Sequence, residues 1–90
     1  MPTPKKPLIR HRDTEFLKTL GARIRKIRMA KGYSLDRVAV ASEGLNRSSV
    51  SRIERGLTDP QLGTLKRIAD TIGVTVAHLL DIEETRSMLT

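Results

Sequence analysis

The sequence predicts an all-α domain of five short helices that contains a helix-turn-helix and is preceded by a flexible basic arm. Three observations predict it. Apolar residues recur at steps of three and four, several of these segments open on Ser, Thr or Asn and close on Gly, and no segment alternates with period two between strand-type turns.

Residues 1–13, MPTPKKPLIRHRD, hold three prolines in seven positions and no apolar period. They read as a mobile arm carrying Lys5, Lys6, Arg10 and Arg12, of a kind able to reach around DNA. From about residue 14 to residue 30, Leu17, Leu20, Ile24 and Ile27 form one stripe, which Lys31 and Gly32 close. Ser34 caps a second helix over about 34–42, with Leu35, Val38, Ala39 and Ser42 inward and Gly44 as its break. Asn46 caps a third over about 46–55, ended by Gly56. A fourth, over about 61–72, aligns Leu62, Leu65, Ile68, Ala69 and Ile72 and stops at Gly73; Thr75 opens a fifth to about residue 82. Residues 83–90 are left as a tail or an extension of that helix.

Ninety residues suffice for one modest core. Phe16 and Tyr33 are its only aromatics, so that core is aliphatic. The absence of cysteine excludes disulfides and thiolate metal sites and fits a reducing, cytoplasmic setting. No apolar run has the roughly 20 residues that cross a bilayer, so no membrane role is expected. His11 and His78 stand apart without other ligands, and no catalytic motif is present, so neither a metal, a cofactor nor an enzyme is expected.

The net charge of +7 is unevenly spread. Residues 1–31 hold ten basic and two acidic side chains, net +8, and residues 32–90 hold seven and eight, net −1. Such polarity favours a polyanionic partner.

The segment NRSSVSRIERG, Asn46 to Gly56, concentrates the chemistry. At about 100° per residue, Val50 and Ile53 form a thin keel while Ser48, Ser51, Arg52 and Arg55 point roughly opposite, with Arg47 at the N-terminal flank. Arg47 and Arg52 can each donate a bidentate pair to guanine O6 and N7, worth about 1–3 kcal/mol of discrimination. Ser48 and Ser51 are short enough to let the backbone approach, and Arg55 is placed for a phosphate. Glu54 is the anomaly, because a carboxylate in a phosphate groove is repelled. The wheel puts it beside the keel, where it is expected to pair with Arg28 at the edge of the first helix's stripe.

At this point Leu20 to Leu80, about two thirds of the chain, resembles the Cro and lambda-repressor (XRE) type of helix-turn-helix domain. SRIERG, followed by a spaced P-x-L-x-T-L-x-x-IA and then GV, carries the resemblance. It implies a five-helix lambda-repressor-like fold that binds double-stranded DNA specifically, usually as a homodimer on a palindromic operator, and controls transcription. The chain is expected to be a cytoplasmic, nucleoid-associated regulator, read as a repressor with activation left open. It assigns base contacts to Arg47, Ser48, Ser51 and Arg52, phosphate contacts to Ser49, Arg55, Leu57 and Thr58, and an ion pair to Arg28 and Glu54. Two departures stand out. Leu35 replaces a phosphate-holding glutamine, leaving Ser34 or backbone N–H groups for that contact, and Glu43 lengthens the turn by one residue.

Surplus apolar residues near the C-terminus suggest a dimer surface at Val76, Leu79, Leu80 and Ile82, led by Leu79 and Ile82, with Met88 and Leu89 beyond. Two other readings are an antitoxin that also binds a toxin, and a basic module in which Arg23, Arg25, Lys26 and Arg28 engage an anionic membrane or acidic protein.

Overall fold

The computed structural model describes residues 11–82, with side chains from Asp13 onward. Lys5, Lys6, Arg10, the side chain of Arg12 and residues 83–90 lie outside the described residues. The order is α1 (His11–Ala30), α2 (Leu35–Ala41), α3 (Arg47–Glu54), α4 (Leu62–Ile72) and α5 (Val76–Leu79), with no strand among the described residues. No described helix is long and apolar enough to cross a membrane.

The expected stripes meet in one aliphatic core. Leu20 and Ile24 from α1, Val38 and Ala39 from α2, Val50 and Ile53 from α3, Leu65, Ile68, Ala69 and Ile72 from α4, and Leu79 and Ile82 belong to a single buried cluster. Each fully buried Leu, Ile or Val stabilises by about 1.5–3 kcal/mol relative to exposure, so this cluster orders the helices. The cap at Ser34 forms, its hydroxyl accepting from the Arg37 N–H at 3.1 Å. Thr75 caps α5 in the same way, accepting from the His78 N–H at 3.0 Å.

α3 packs against both α1 and α2. Its approach to α1 depends on Gly21, where an added Cβ would lie 2.4 Å from the carbonyl oxygens of both Ile53 and Glu54. The C-terminus of α3 closes through Gly56 at φ 72°, which lets Gly56 N–H reach Ile53 O at 3.1 Å and Leu57 N–H reach Arg52 O at 2.9 Å. A side chain at Gly56 would meet the Lys18 backbone at 2.7 Å, so this second glycine also sets the α1–α3 contact.

Four expectations are corrected. α1 begins at His11 rather than about residue 14. The last proline of the arm is Pro7, and extending an existing helix through residues 11–13 is cheap, with Asp13 favourably placed in the first turn. Leu62 was expected inward but is 67% exposed, because it lies one turn ahead of the point where α4 meets the core at Leu65. α5 stops at Leu79 instead of running to residue 82. The chain turns at Leu80, and Ile82 returns to the core.

The fourth correction follows from the third. Leu79 and Ile82 are almost wholly buried within their own chain and cannot form a dimer surface. Counting apolar residues in a short helix underestimates how many the core takes when the chain folds back. Leu80 is exposed and Val76 half-buried, so only these two of the four remain accessible.

Candidate nucleic-acid interface

The second helix of the helix-turn-helix is held from its start. Asn46 is extended, and its side-chain oxygen accepts from the Ser49 N–H at 2.8 Å, relieving one of the unpaired donors of the first turn. The keel of α3 is buried at Val50, Ile53 and Glu54. Arg47, Ser48, Arg52 and Arg55 are exposed and Ser51 is half-buried. Spacing of three and four residues thus divides eight residues into an inward and an outward face.

Arg28 and Glu54 come together beneath that surface. Arg28 Nε donates to Glu54 Oε2 at 2.6 Å and Nη2 to Oε1 at 3.0 Å, with the side chains 9% and 5% exposed. Its remaining Nη1 donates to Tyr33 O at 2.6 Å. One guanidinium therefore joins α1, the α1–α2 corner and α3. Such a two-bond fork fixes orientation as well as distance. The Arg37 guanidinium stacks over the Tyr33 ring at 4.4 Å and strengthens the same corner.

The turn between α2 and α3 is held by α4. Arg67 Nη1 donates to Glu43 O at 2.9 Å. The fully buried Ser42 hydroxyl lies 3.2 Å from Thr71 Oγ1, which itself donates to Arg67 O at 2.8 Å. Thr71 has only one hydroxyl proton, so Ser42 is the donor in their bond. The turn thus presents the Glu43 carbonyl to an arginine of α4.

The proposed phosphate residues divide once their local bonds are known. The Ser34 hydroxyl accepts at the α2 cap, which leaves its proton for another acceptor. Ser49 spends both donors on Asn46, through N–H at 2.8 Å and Oγ at 3.1 Å, so its hydroxyl has to leave the cap to reach a phosphate. Leu57 was expected to contribute a phosphate contact, but its N–H is taken by Arg52 O and its side chain is apolar. It offers the surface an exposed aliphatic group instead. Arg55 makes one long bond, Nε to Ser51 O at 3.4 Å, and presents the rest of its guanidinium outward. Thr58 shares an open pocket of about 230 Å³ with Ser49, Arg52, Asp59, Gln61 and Thr64.

The helical wheel does not disclose the roles of Gly21, Arg67 and Thr71, nor the approach of Asp36 to Arg47, whose Nη1 lies 3.5 Å from Asp36 Oδ2. No cluster of potential metal ligands occurs among the described residues.

Comparison with known proteins agrees with this geometry. A family model described as helix-turn-helix matches residues 24–79. The HTH-type transcriptional regulator SlrR of Bacillus subtilis (strain 168) is 42% identical over 65 residues, covering 71% of this chain and 42% of SlrR. The regulator SinR of the same strain is 40% identical over 63 residues, covering 69% and 56%. The chain spans about half the length of the curated relatives it matches. Among solved structures, the restriction-modification controller protein C.AhdI from Aeromonas hydrophila superposes with a TM-score of 0.67 at 35% identity, covering 70% of this chain and 94% of that one. The clp gene regulator ClgR from Corynebacterium glutamicum gives 0.74 at 28% identity, covering 82% and 78%. These relatives are regulators, not enzymes. With the capped, keeled α3 and the family match over most of the described core, the chain belongs to the XRE-type helix-turn-helix family.

Proposed function

We propose that the chain is a sequence-specific double-stranded DNA-binding transcriptional regulator that acts as a homodimeric repressor on a palindromic operator. The observation that carries this reading is the outward face of α3, with Arg47, Ser48 and Arg52 exposed on a helix whose opposite side is locked into the core. In a major groove, Arg47 and Arg52 contact guanines, and Ser48 and Ser51 contact bases or nearby phosphates. Arg55, Thr58 and Ser34 contact phosphates. Ser49 joins them if it releases Asn46. Lys5, Lys6 and Arg10, with Arg12 in the first turn of α1, add positive charge suited to a polyanion, and a cytoplasmic, nucleoid-associated protein is part of this reading.

A single recognition helix reads few base pairs, and a two-fold dimer doubles the site with half-sites about one helical turn apart. Of the four residues expected at the dimer surface, Val76 in α5 and Leu80 at its C-cap are left for such an interface. Selection of bound sites from random duplexes at a stated salt concentration, paired with sedimentation equilibrium, tests the whole reading. The expected result is an inverted repeat bound by two chains. No enrichment of any sequence would exclude specific recognition, and a monomer on a single half-site would exclude the dimer alone. Copurification of a stoichiometric second protein would instead favour the antitoxin reading.

A further inference from the structure

Asp36 is a carboxylate in the first turn of α2, facing the N-terminal end of the recognition helix. Its Oδ2 lies 3.5 Å from Arg47 Nη1, and the two side chains are 66% and 68% exposed. A pair so open to water contributes little to folding, because solvent and salt screen it and two long side chains lose freedom to form it. Its consequence therefore lies in where the Arg47 guanidinium points.

We propose that Asp36 is a specificity-determining residue that acts by positioning Arg47 for a guanine. This rests on the reading of Arg47 as a base contact. Arginine has five N–H donors in a rigid plane, and guanine O6 and N7 together take two. With Nη1 the nitrogen nearest Asp36, the Nε–Nη2 edge is not needed for that ion pair, and a bidentate contact with guanine is compatible with keeping the carboxylate partner. An arginine without such a partner is free to swing to the nearest phosphate on any sequence. Asp36 opposes that swing twice, by holding the guanidinium and by standing as a negative charge that phosphates repel. The acid therefore weakens binding to arbitrary DNA while preserving the oriented contact at the correct base pair. Its placement differs from that of Glu54, which is buried against Arg28 and acts on the scaffold.

The test uses the full chain, duplexes selected from a random pool by the wild type, and an unselected duplex of equal length, all at one salt concentration. Wild type, Asp36→Ala, Arg47→Ala and the double variant are titrated against the selected duplex, its single-base changes and the unselected duplex. Asp36→Ala is expected to tighten binding to the unselected duplex about 2–5-fold and to lower discrimination about 3–10-fold at the base pair that Arg47→Ala flattens. In the Arg47→Ala background, Asp36→Ala is expected to change discrimination by less than about 2-fold. Asp36→Glu, which restores the charge, is expected to recover part of the preference. If Asp36→Ala fails to fold, Asp36→Asn removes the charge at nearly constant shape and carries the same comparison. Equal weakening on every duplex, or an unchanged effect of Asp36→Ala without Arg47, would overturn the positioning role. If Arg47→Ala alters no base preference, the base contact itself is refuted and the proposal with it.

Discussion

Arg28 and Glu54 form a two-bond fork, 2.6 and 3.0 Å, across the α1–α3 interface, and the third donor of the same guanidinium holds Tyr33 O. Removing one partner leaves the other as an unpaired charge in a site that excludes most water. Arg28→Ala or Glu54→Ala is expected to cost about 3–5 kcal/mol in denaturant unfolding, well above the roughly 0–1 kcal/mol of a surface pair. Arg28→Lys is expected to recover only part of that loss, since an ammonium cannot make the fork and also reach Tyr33 in the same plane. A loss below about 1 kcal/mol for either alanine variant would show that the pair does not hold the helix.

The two glycines at non-left-handed helical positions make a contrasting pair. At Gly21 an added methyl meets the backbone oxygens of Ile53 and Glu54 at 2.4 Å, and backbone cannot step aside as a side chain can. At Gly63, in α4, nothing lies within 4 Å. Gly21→Ala is expected to destabilise by about 1–3 kcal/mol or more and to shift α3. Gly63→Ala is expected to stabilise by about 0.5–1 kcal/mol through lower entropy of the unfolded chain. Thermal and urea unfolding of both variants check the opposite signs.

Much of this architecture is legible in the sequence because periodicity and capping are local. The keel of α3, the caps at Ser34, Asn46 and Thr75, and the inward placement of Glu54 follow from angles along one helix. What is not legible depends on how helices cross. Gly21 reads as an ordinary helical glycine until α3 is laid against it. Arg67 reads as surface charge until Glu43 O is brought to it. Leu79 and Ile82 read as surplus because the turn at Leu80, which buries both, has no periodic signal. Leu57 loses its phosphate role for a similar reason, since the bond that ends α3 consumes its N–H.

The tie between the turn and α4 has a direction that mutation can read. Ser42 donates to Thr71, and Thr71 donates to Arg67 O. Thr71→Val is expected to leave the buried Ser42 hydroxyl without an acceptor and to cost about 1–3 kcal/mol, whereas Ser42→Ala leaves Thr71 with its own acceptor and costs about 1 kcal/mol or less. Arg67→Ala, which frees Glu43 O to water, is expected to cost about 0.5–1.5 kcal/mol and to speed hydrogen exchange locally at the α2–α3 turn. A larger loss for Ser42→Ala than for Thr71→Val would reverse the assigned donor order.

The outward face supplies the last prediction, which separates reading from holding. Arg52 is exposed in the last turn of α3 and lines the pocket with Ser49 and Thr58, while Arg55 stands at the C-cap with its guanidinium outward. An arginine on a base edge discriminates between base pairs. One on a phosphate adds the same attraction everywhere and releases a counterion. Arg52→Ala is therefore expected to relax preference by about 1–3 kcal/mol at particular base pairs. Arg55→Ala is expected to weaken all duplexes alike and to reduce the slope of log K against log salt by about one. Titrations of both variants against selected and unselected duplexes, at several salt concentrations, measure the two quantities separately. If both substitutions weaken every sequence equally, the division between base-reading and phosphate-holding arginines on α3 fails.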